Sequence, residues 1–181
     1  LRDLSLHILD LIENSLRAGA QRVDVTIAQR VDLDEMVIAV EDDGPGLPVT
    51  PAQATDPFFT TKSGKRVGLG LSLFQAAAER AGGGMELDRS PLGGLAVRAT
   101  LRLGHLDRNP LGDVPATMAS ALCAEPEVRF RLLFEVDGRR AEVDSYETVE
   151  RLIDRSVDLG ALPMEFAAEV ARAMERVGVM P

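Results

Sequence analysis

Three short segments in a fixed order constrain this chain more than anything else in it: Leu11-Ile-Glu-Asn-Ser-Leu-Arg-Ala-Gly-Ala20, Asp42-Asp-Gly-Pro-Gly46 and Val67-Gly-Leu-Gly-Leu71. Each is weak alone, because glycine turns serve many folds. Together they describe a nucleotide pocket: a polar helix face for metal and phosphate, an acidic glycine turn for a base, and a glycine turn that opens a helix toward phosphate.

The periodicity around them gives the elements. Leu4, Ile8, Leu11, Ile12 and Ser15 recur at helical spacing and define a buried stripe, while His7, Asp10, Asn14 and Arg17 fall within about 60° of Asn14 on another face. Gly19 is expected to end this helix. Val23, Val25 and Ile27 then alternate as a half-buried strand, and Met36–Val40 reads as a more fully buried one that delivers the chain into Asp42. Residues 47–66 are rich in Pro, Thr, Ser and Gly around Phe58-Phe59, a composition expected of a lid. A helix is expected from Gly68 to the Gly82-Gly-Gly84 stop, then a strand over Met85–Asp88, the turn Ser90-Pro-Leu-Gly-Gly94, and a long strand alternating through Leu95, Val97, Ala99, Leu101 and Leu103.

A boundary is expected near Gly104–Gly112. Beyond it come a short helix around Ala116–Leu122 and a hairpin, with Val128, Phe130, Leu132, Phe134 and Val136 leading into Asp137-Gly138 and Ala141 and Val143 on the return. Asp144 and Glu147 resemble a capping box for a helix with Val149, Leu152, Ile153 and Val157 inside. Pro163 is expected to open a last helix carrying Phe166, Val170, Met174 and Val177.

Length and composition narrow the function classes. The 181 residues suit one domain, or one with a small appendage, and 45% hydrophobic with 27% charged residues is ordinary for a soluble protein. The single Cys123 supports no internal disulfide framework, so a cytoplasmic setting is the expectation. No apolar run approaches the ~18 residues that cross a bilayer, no basic-then-apolar leader opens the chain, and a net charge of −9 disfavours nucleic acid and anionic membrane as partners. Lys62, Lys65 and Arg66 remain compatible with a small polyphosphate.

With Asp56-Pro-Phe-Phe-Thr-Thr-Lys62 between the second and third motifs, the first hundred residues resemble the GHKL superfamily of ATPases, which includes histidine-kinase catalytic domains, MutL, gyrase B and Hsp90. Pro57–Lys62 and the helix from Gly68 look most like a histidine-kinase ATP domain; the run Ile12–Ala20 is closer to MutL. The resemblance implies an α/β (α+β) two-layer sandwich over residues 1–103, a Bergerat-type mixed sheet backed by helices, with a small α+β segment at 104–181 appended as a partner-docking region. It implies ATP and Mg2+ as ligands, a protein partner or protein substrate, and the option of oligomers.

Residue by residue, Asn14 matches the magnesium-ligating asparagine, and a neutral hard oxygen suits an ion shared with phosphates. Asp42 matches the aspartate that accepts from the adenine amino group, where a carboxylate would reject a guanine carbonyl. Gly44 and Gly46 let the backbone approach the base. Gly68, Leu69 and Gly70 match the turn whose amides meet phosphate. Arg17 takes a position where related kinases place a basic group, and Thr61 and Lys62 would reach phosphate from the lid. Asp10, one turn before Asn14, stands where hydrolytic members carry a glutamate base; its alternatives are a catalytic base, a place beside the magnesium shell, or a purely solvated side chain. Glu13 is rotated away.

The chain also departs from these relatives. Leu95 replaces the threonine that usually follows the late glycine, the lid is expected to be short, and no phosphoacceptor helix pair is expected ahead of the ATP domain. His7 reads as a site-wall or core histidine. His105-Leu-Asp-Arg-Asn-Pro-Leu111 resembles an acceptor box, but Leu106 displaces the neighbouring acid and Pro115 would interrupt the helix that should follow, so a junction turn is the expectation.

Overall fold

Apolar side chains at helical spacing make Leu4–Arg17 the first helix, α1. In this computed structural model, which describes residues 3–46 and 69–181, its first orphan amides are satisfied from far along the chain: Leu4 N–H donates to the Pro110 carbonyl at 2.9 Å and Ser5 N–H to Leu111 at 2.7 Å. The helix ends at Ala18, followed by Gly19 at φ 90°.

Strands β1 (Arg22–Arg30) and β2 (Glu35–Asp42) form an antiparallel pair. Helix α2 (Leu69–Arg80) leads to β3 (Gly84–Arg89), and β4 (Leu95–Arg102) returns between β3 and β2. Helix α3 (Val114–Ala124) is capped by Asp113, whose carboxylate accepts from Ala116 N–H at 2.9 Å. Pro115, expected to interrupt a helix, lies in the first turn of α3, where its missing N–H costs nothing.

The hairpin of β5 (Arg129–Val136) and β6 (Arg139–Asp144) turns on Asp137 and Gly138 at φ 47° and 81°, the two left-handed residues a tight hairpin turn requires. Asp144 caps α4 (Ser145–Asp154), accepting from Tyr146 N–H at 3.0 Å. A turn of 3-10 helix (Leu159–Ala161) precedes α5 (Leu162–Val177). Within α4 only part of the expected apolar set is inward: Leu152 is buried, whereas Ile153 and Val157 are exposed. The reason is local: Ile153 is rotated about 100° from Leu152, and Ser156 at φ 54° breaks the helix before Val157.

All six strands among the described residues belong to one sheet, in the order β3-β4-β2-β1-β5-β6. Among the described strands, β1 and β5 form the single parallel pair. The register aligns Leu87, Val97, Val40, Val25, Leu132 and Val143 in one row across the sheet, and every one of them packs in or against a single core cluster that also takes side chains from each of the described α-helices. The next row, on the opposite face, is Glu86, Arg98, Ala39, Thr26, Leu133 and Glu142. Ion pairs lace that outer face, among them Arg22–Asp24 at 2.7 Å and Arg131–Glu142. The architecture is therefore a mixed sheet backed by helices on one side, as expected. The segment after residue 104 continues the same sheet and core, with α3 packed on α1 and α5.

Candidate functional site

At its end β2 passes close to α1, and the contact is made by a buried carboxylate. Asp42 is only 4% exposed, and the hydroxyl of Ser15 donates to its Oδ2 at 2.6 Å. Its Oδ1 accepts from two backbone amides, Gly44 N–H at 3.0 Å and Leu95 N–H at 3.1 Å. A buried charge is tolerated only when bonded in this way.

At Gly94 the turn beside it leaves no room for a side chain. Gly94 donates its N–H to the Asp42 carbonyl at 3.0 Å, and a Cβ on Gly94 would sit 2.0 Å from Asp42 Oδ1 and 2.6 Å from Gly44 N. Gly46 has φ 78°, a left-handed conformation suited to glycine. Next to the carboxylate, Asp43 buttresses the start of β1: its Oδ1 accepts from Gln21 and Arg22 amides at 2.8 and 2.9 Å.

The first turn of α2 meets α1 on the same side as Asp10 and Asn14. A Cβ on Gly70 would lie 3.3 Å from Asp10 Cβ, 3.5 Å from Asp10 Oδ2 and 3.7 Å from Asn14 Nδ2. One turn further along, Phe74 stacks on His7, with ring centroids 5.3 Å apart and planes at 22°. The two helices thus run past each other in opposite directions. Their contact explains why His7, counted by angle among the polar residues, is 3% exposed: α2 covers it.

Helix α1 therefore touches both glycine turns. Ser15 holds the Asp42 turn, and Asp10 with Asn14 face Gly70. Leu69 is exposed at the start of α2. Arg17 is paired with Glu13 at 2.9 Å on the exposed side of α1. Thr61, Lys62 and Gly68 lie outside the described residues, as does the expected lid. Three participants were not singled out by sequence reasoning: Ser15, assigned only to the core stripe; Asp43; and the Leu95 amide, which holds Asp42 although its side chain is not the usual threonine. The Asn14-Ser15 dipeptide offered a signal for the first; a backbone amide offers none.

Residues 2–105 match the family described as histidine kinase-, DNA gyrase B-, and HSP90-like ATPases. The chain belongs to this family. The resemblance read from the three motifs is borne out, and this histidine-kinase-like ATPase domain is homologous to the ATP-binding parts of sensor kinases. It is 35% identical over 94 residues to the sensor histidine kinase CpxA of Escherichia coli, covering 49% of this chain and 20% of the kinase. It is 36% identical over 118 residues to the signal transduction histidine-protein kinase AfsQ2 of Streptomyces coelicolor, covering 62% of this chain and 21% of that one. The matched stretch is thus about a fifth of each kinase's length. Among solved structures, the ATP binding domain of PrrB from Mycobacterium tuberculosis aligns with a TM-score of 0.39 and 27% identity, over 54% of this chain and 64% of that one. Residues 106–181 extend beyond the family match. No helix among the described residues is long and apolar enough to cross a membrane.

Proposed function

We propose that the chain binds magnesium ATP between α1, the Asp42 turn and the start of α2, and passes the γ-phosphoryl group to a separate signalling protein. The observation that carries this reading is the meeting of both glycine turns on one helix: Ser15 bonded to Asp42, and Gly70 packed on Asp10 and Asn14.

In this reading Asp42 accepts a hydrogen bond from the adenine amino group, while Gly44 and Gly46 keep the turn low enough for the base to approach. Amides at the first turn of α2, around Leu69 and Gly70, hold phosphate oxygens with the help of the helix dipole. The residues present fit magnesium. Asn14 offers a neutral hard oxygen beside Asp10, and among the described residues no cluster of three His, Cys, Asp or Glu could cage a metal alone. An ion there takes its other oxygens from phosphate and water, as magnesium does. When bound it draws charge from the transferring phosphoryl group. Arg17 sits in an exposed pair with Glu13. Such pairs are worth little, so the guanidinium can exchange to a phosphate. Thr61 and Lys62, outside the described residues, complete the proposed set of phosphate-binding side chains.

For transfer, the acceptor's nucleophile forms a bond to the γ-phosphorus as the bond to the bridging oxygen breaks and ADP departs. Asp10, beside the phosphate turn, takes the acceptor's proton. The chain's two histidines are poor acceptors in its own site. His7 is buried between α1 and α2. His105 lies beyond the far end of β4, which spans roughly 23 Å from Leu95, beside Asp42, to Arg102.

The decisive test is calorimetry with ATP, with and without magnesium, for wild type, Asn14→Ala and Asp42→Asn. Asn14→Ala should abolish the magnesium dependence, and Asp42→Asn should weaken ATP at either condition. Wild type that gives no heat with ATP defeats the proposal. Transfer itself is read by radiolabelled γ-phosphate moving to a protein in native lysate.

A second reading is favoured by the position of Asp10. The same carboxylate serves a MutL-like or Hsp90-like ATPase switch if water is the nucleophile. Steady hydrolysis lost in Asp10→Asn, with ATP-dependent dimers in solution, selects that reading. Binding with neither transfer nor turnover selects a non-catalytic ATP-binding adaptor.

A further inference from the structure

Beyond these roles, the bonding around Asp42 defines what it is able to read. Its carboxylate offers about four lone-pair positions. Three are taken by donors from three separate parts of the chain: the Ser15 hydroxyl on α1, the Gly44 amide in the turn after β2, and the Leu95 amide at the start of β4. Both side chains are buried, Ser15 at 5% and Asp42 at 4% exposed. Oδ1 is saturated by the two amides and walled in by Gly94, so among the donors of the described residues one acceptor position is left, on Oδ2.

We propose that Ser15 is the positioning residue for base recognition: its hydroxyl fixes Asp42 Oδ2 so that a single lone pair faces the ligand, which admits one N–H donor. This rests on the reading that Asp42 meets the purine. An adenine amino group supplies that one donor. The adjacent pair of donors on guanine needs both oxygens of a carboxylate, and here one is already spent. Ser15 also directly follows Asn14 on the same helix turn, so the hydroxyl that orients the base reader and the amide that meets the metal are set by one rigid element. Without the hydroxyl, the two amides still hold Oδ1, but Oδ2 is released to swing about that anchor.

The test compares ATP with purine riboside triphosphate, which lacks the exocyclic amine, by calorimetry in the presence of magnesium. Wild type, Ser15→Ala and Ser15→Cys are measured, the cysteine being of similar size and a weaker donor. Wild type should prefer ATP. Ser15→Ala should weaken ATP by about tenfold and leave purine riboside triphosphate within about twofold, with Ser15→Cys between. Equal weakening of both nucleotides makes Ser15 merely structural and overturns the proposal, as does unchanged ATP affinity. Wild type with no preference between the two nucleotides removes the base-reading role of Asp42 itself, a separate failure.

Discussion

Replacing Gly94 by alanine is the sharpest probe of the site's construction. The added Cβ would lie 2.0 Å from Asp42 Oδ1, 2.6 Å from Gly44 N and 2.7 Å from the Asp42 carbonyl oxygen. Ordinary carbon-to-oxygen contact is about 3.3 Å, so the methyl group is roughly 1.3 Å too close to an oxygen that has nowhere to go. Two of the three obstructing atoms are backbone, and the third is held by the Gly44 and Leu95 amides. Relief requires moving the carboxylate, which strains its three hydrogen bonds, or parting β4 from the turn. Either route costs about 3 kcal/mol, the sum of an overpacking penalty and weakened bonds to a charged group. For a chain of this length that lowers the melting temperature by roughly 6 to 12 °C. ATP affinity should fall by at least about tenfold, since the displaced oxygen belongs to the base-reading side chain. Gly84→Ala is the control, because a Cβ there meets nothing within 4 Å. Thermal melts and calorimetry on both variants decide the matter. A Gly94→Ala protein that melts within about 2 °C of Gly84→Ala and binds ATP like wild type refutes this account of the site.

Other outcomes follow from the same geometry. Asp10→Asn should keep ATP affinity within about twofold while transfer or hydrolysis falls by about 10²-fold or more, measured with labelled ATP; equal losses in both would make Asp10 a binding residue. Gln29, fully buried on the core face of β1, exchanges two hydrogen bonds of 2.8 Å with the Met180 backbone. Gln29→Ala should therefore cost about 2 kcal/mol in urea unfolding, and Gln29→Glu nearly as much, because a carboxylate cannot donate to the Met180 carbonyl; ATP affinity should not change. Burial disfavours the charge on Asp144, but the bond from Arg129 and the Tyr146 amide more than offset it and hold the carboxyl below the usual range. A lowered folded-state pKa contributes stability present above the unfolded value of about 3.9 and lost as pH falls through the folded value. The destabilisation caused by Asp144→Asn should accordingly be largest at neutral pH and shrink below about pH 4, read from urea midpoints.

Much of the molecule is legible in its sequence because each legible part is a local pattern. Alternation reveals the inward residues of β1, β4 and β5, and Asp137-Gly138 marks a hairpin because few other dipeptides adopt two left-handed conformations in succession. The order of the three motifs likewise marks the family. Neighbour relations are less readable. Alternation says which face of β5 is buried, not that it lies parallel to β1, since any strand with that pattern satisfies the same rule. Ser15 lies at the right angle on α1 to be inward, but the angle does not name Asp42 as its partner. His7 shares a helical face with Asp10, yet α2 covers one and only partly covers the other. Val157 is expected inside because the apolar spacing runs on past the end of α4, where Ser156 turns the chain, whereas Ile153 lies within the helix but one residue round from the buried Leu152. The pairing of β5 with β1, the partner of Ser15 and the cover on His7 each depend on a contact between distant parts of the chain.

The parallel pairing of β1 with β5 has a consequence for how the protein comes into being. A ribosome releases β1 about a hundred residues before its neighbour β5 exists, so the newborn nucleotide half carries a raw border of unpaired amides and carbonyls along Arg22–Arg30. Gln29 waits longer still, until Met180 emerges. Such late closure makes folding slow relative to a chain of local contacts and leaves the nascent half prone to sticking to its siblings. Truncation before Arg129 should for that reason yield an aggregating fragment, even though every residue of the three nucleotide motifs would be present.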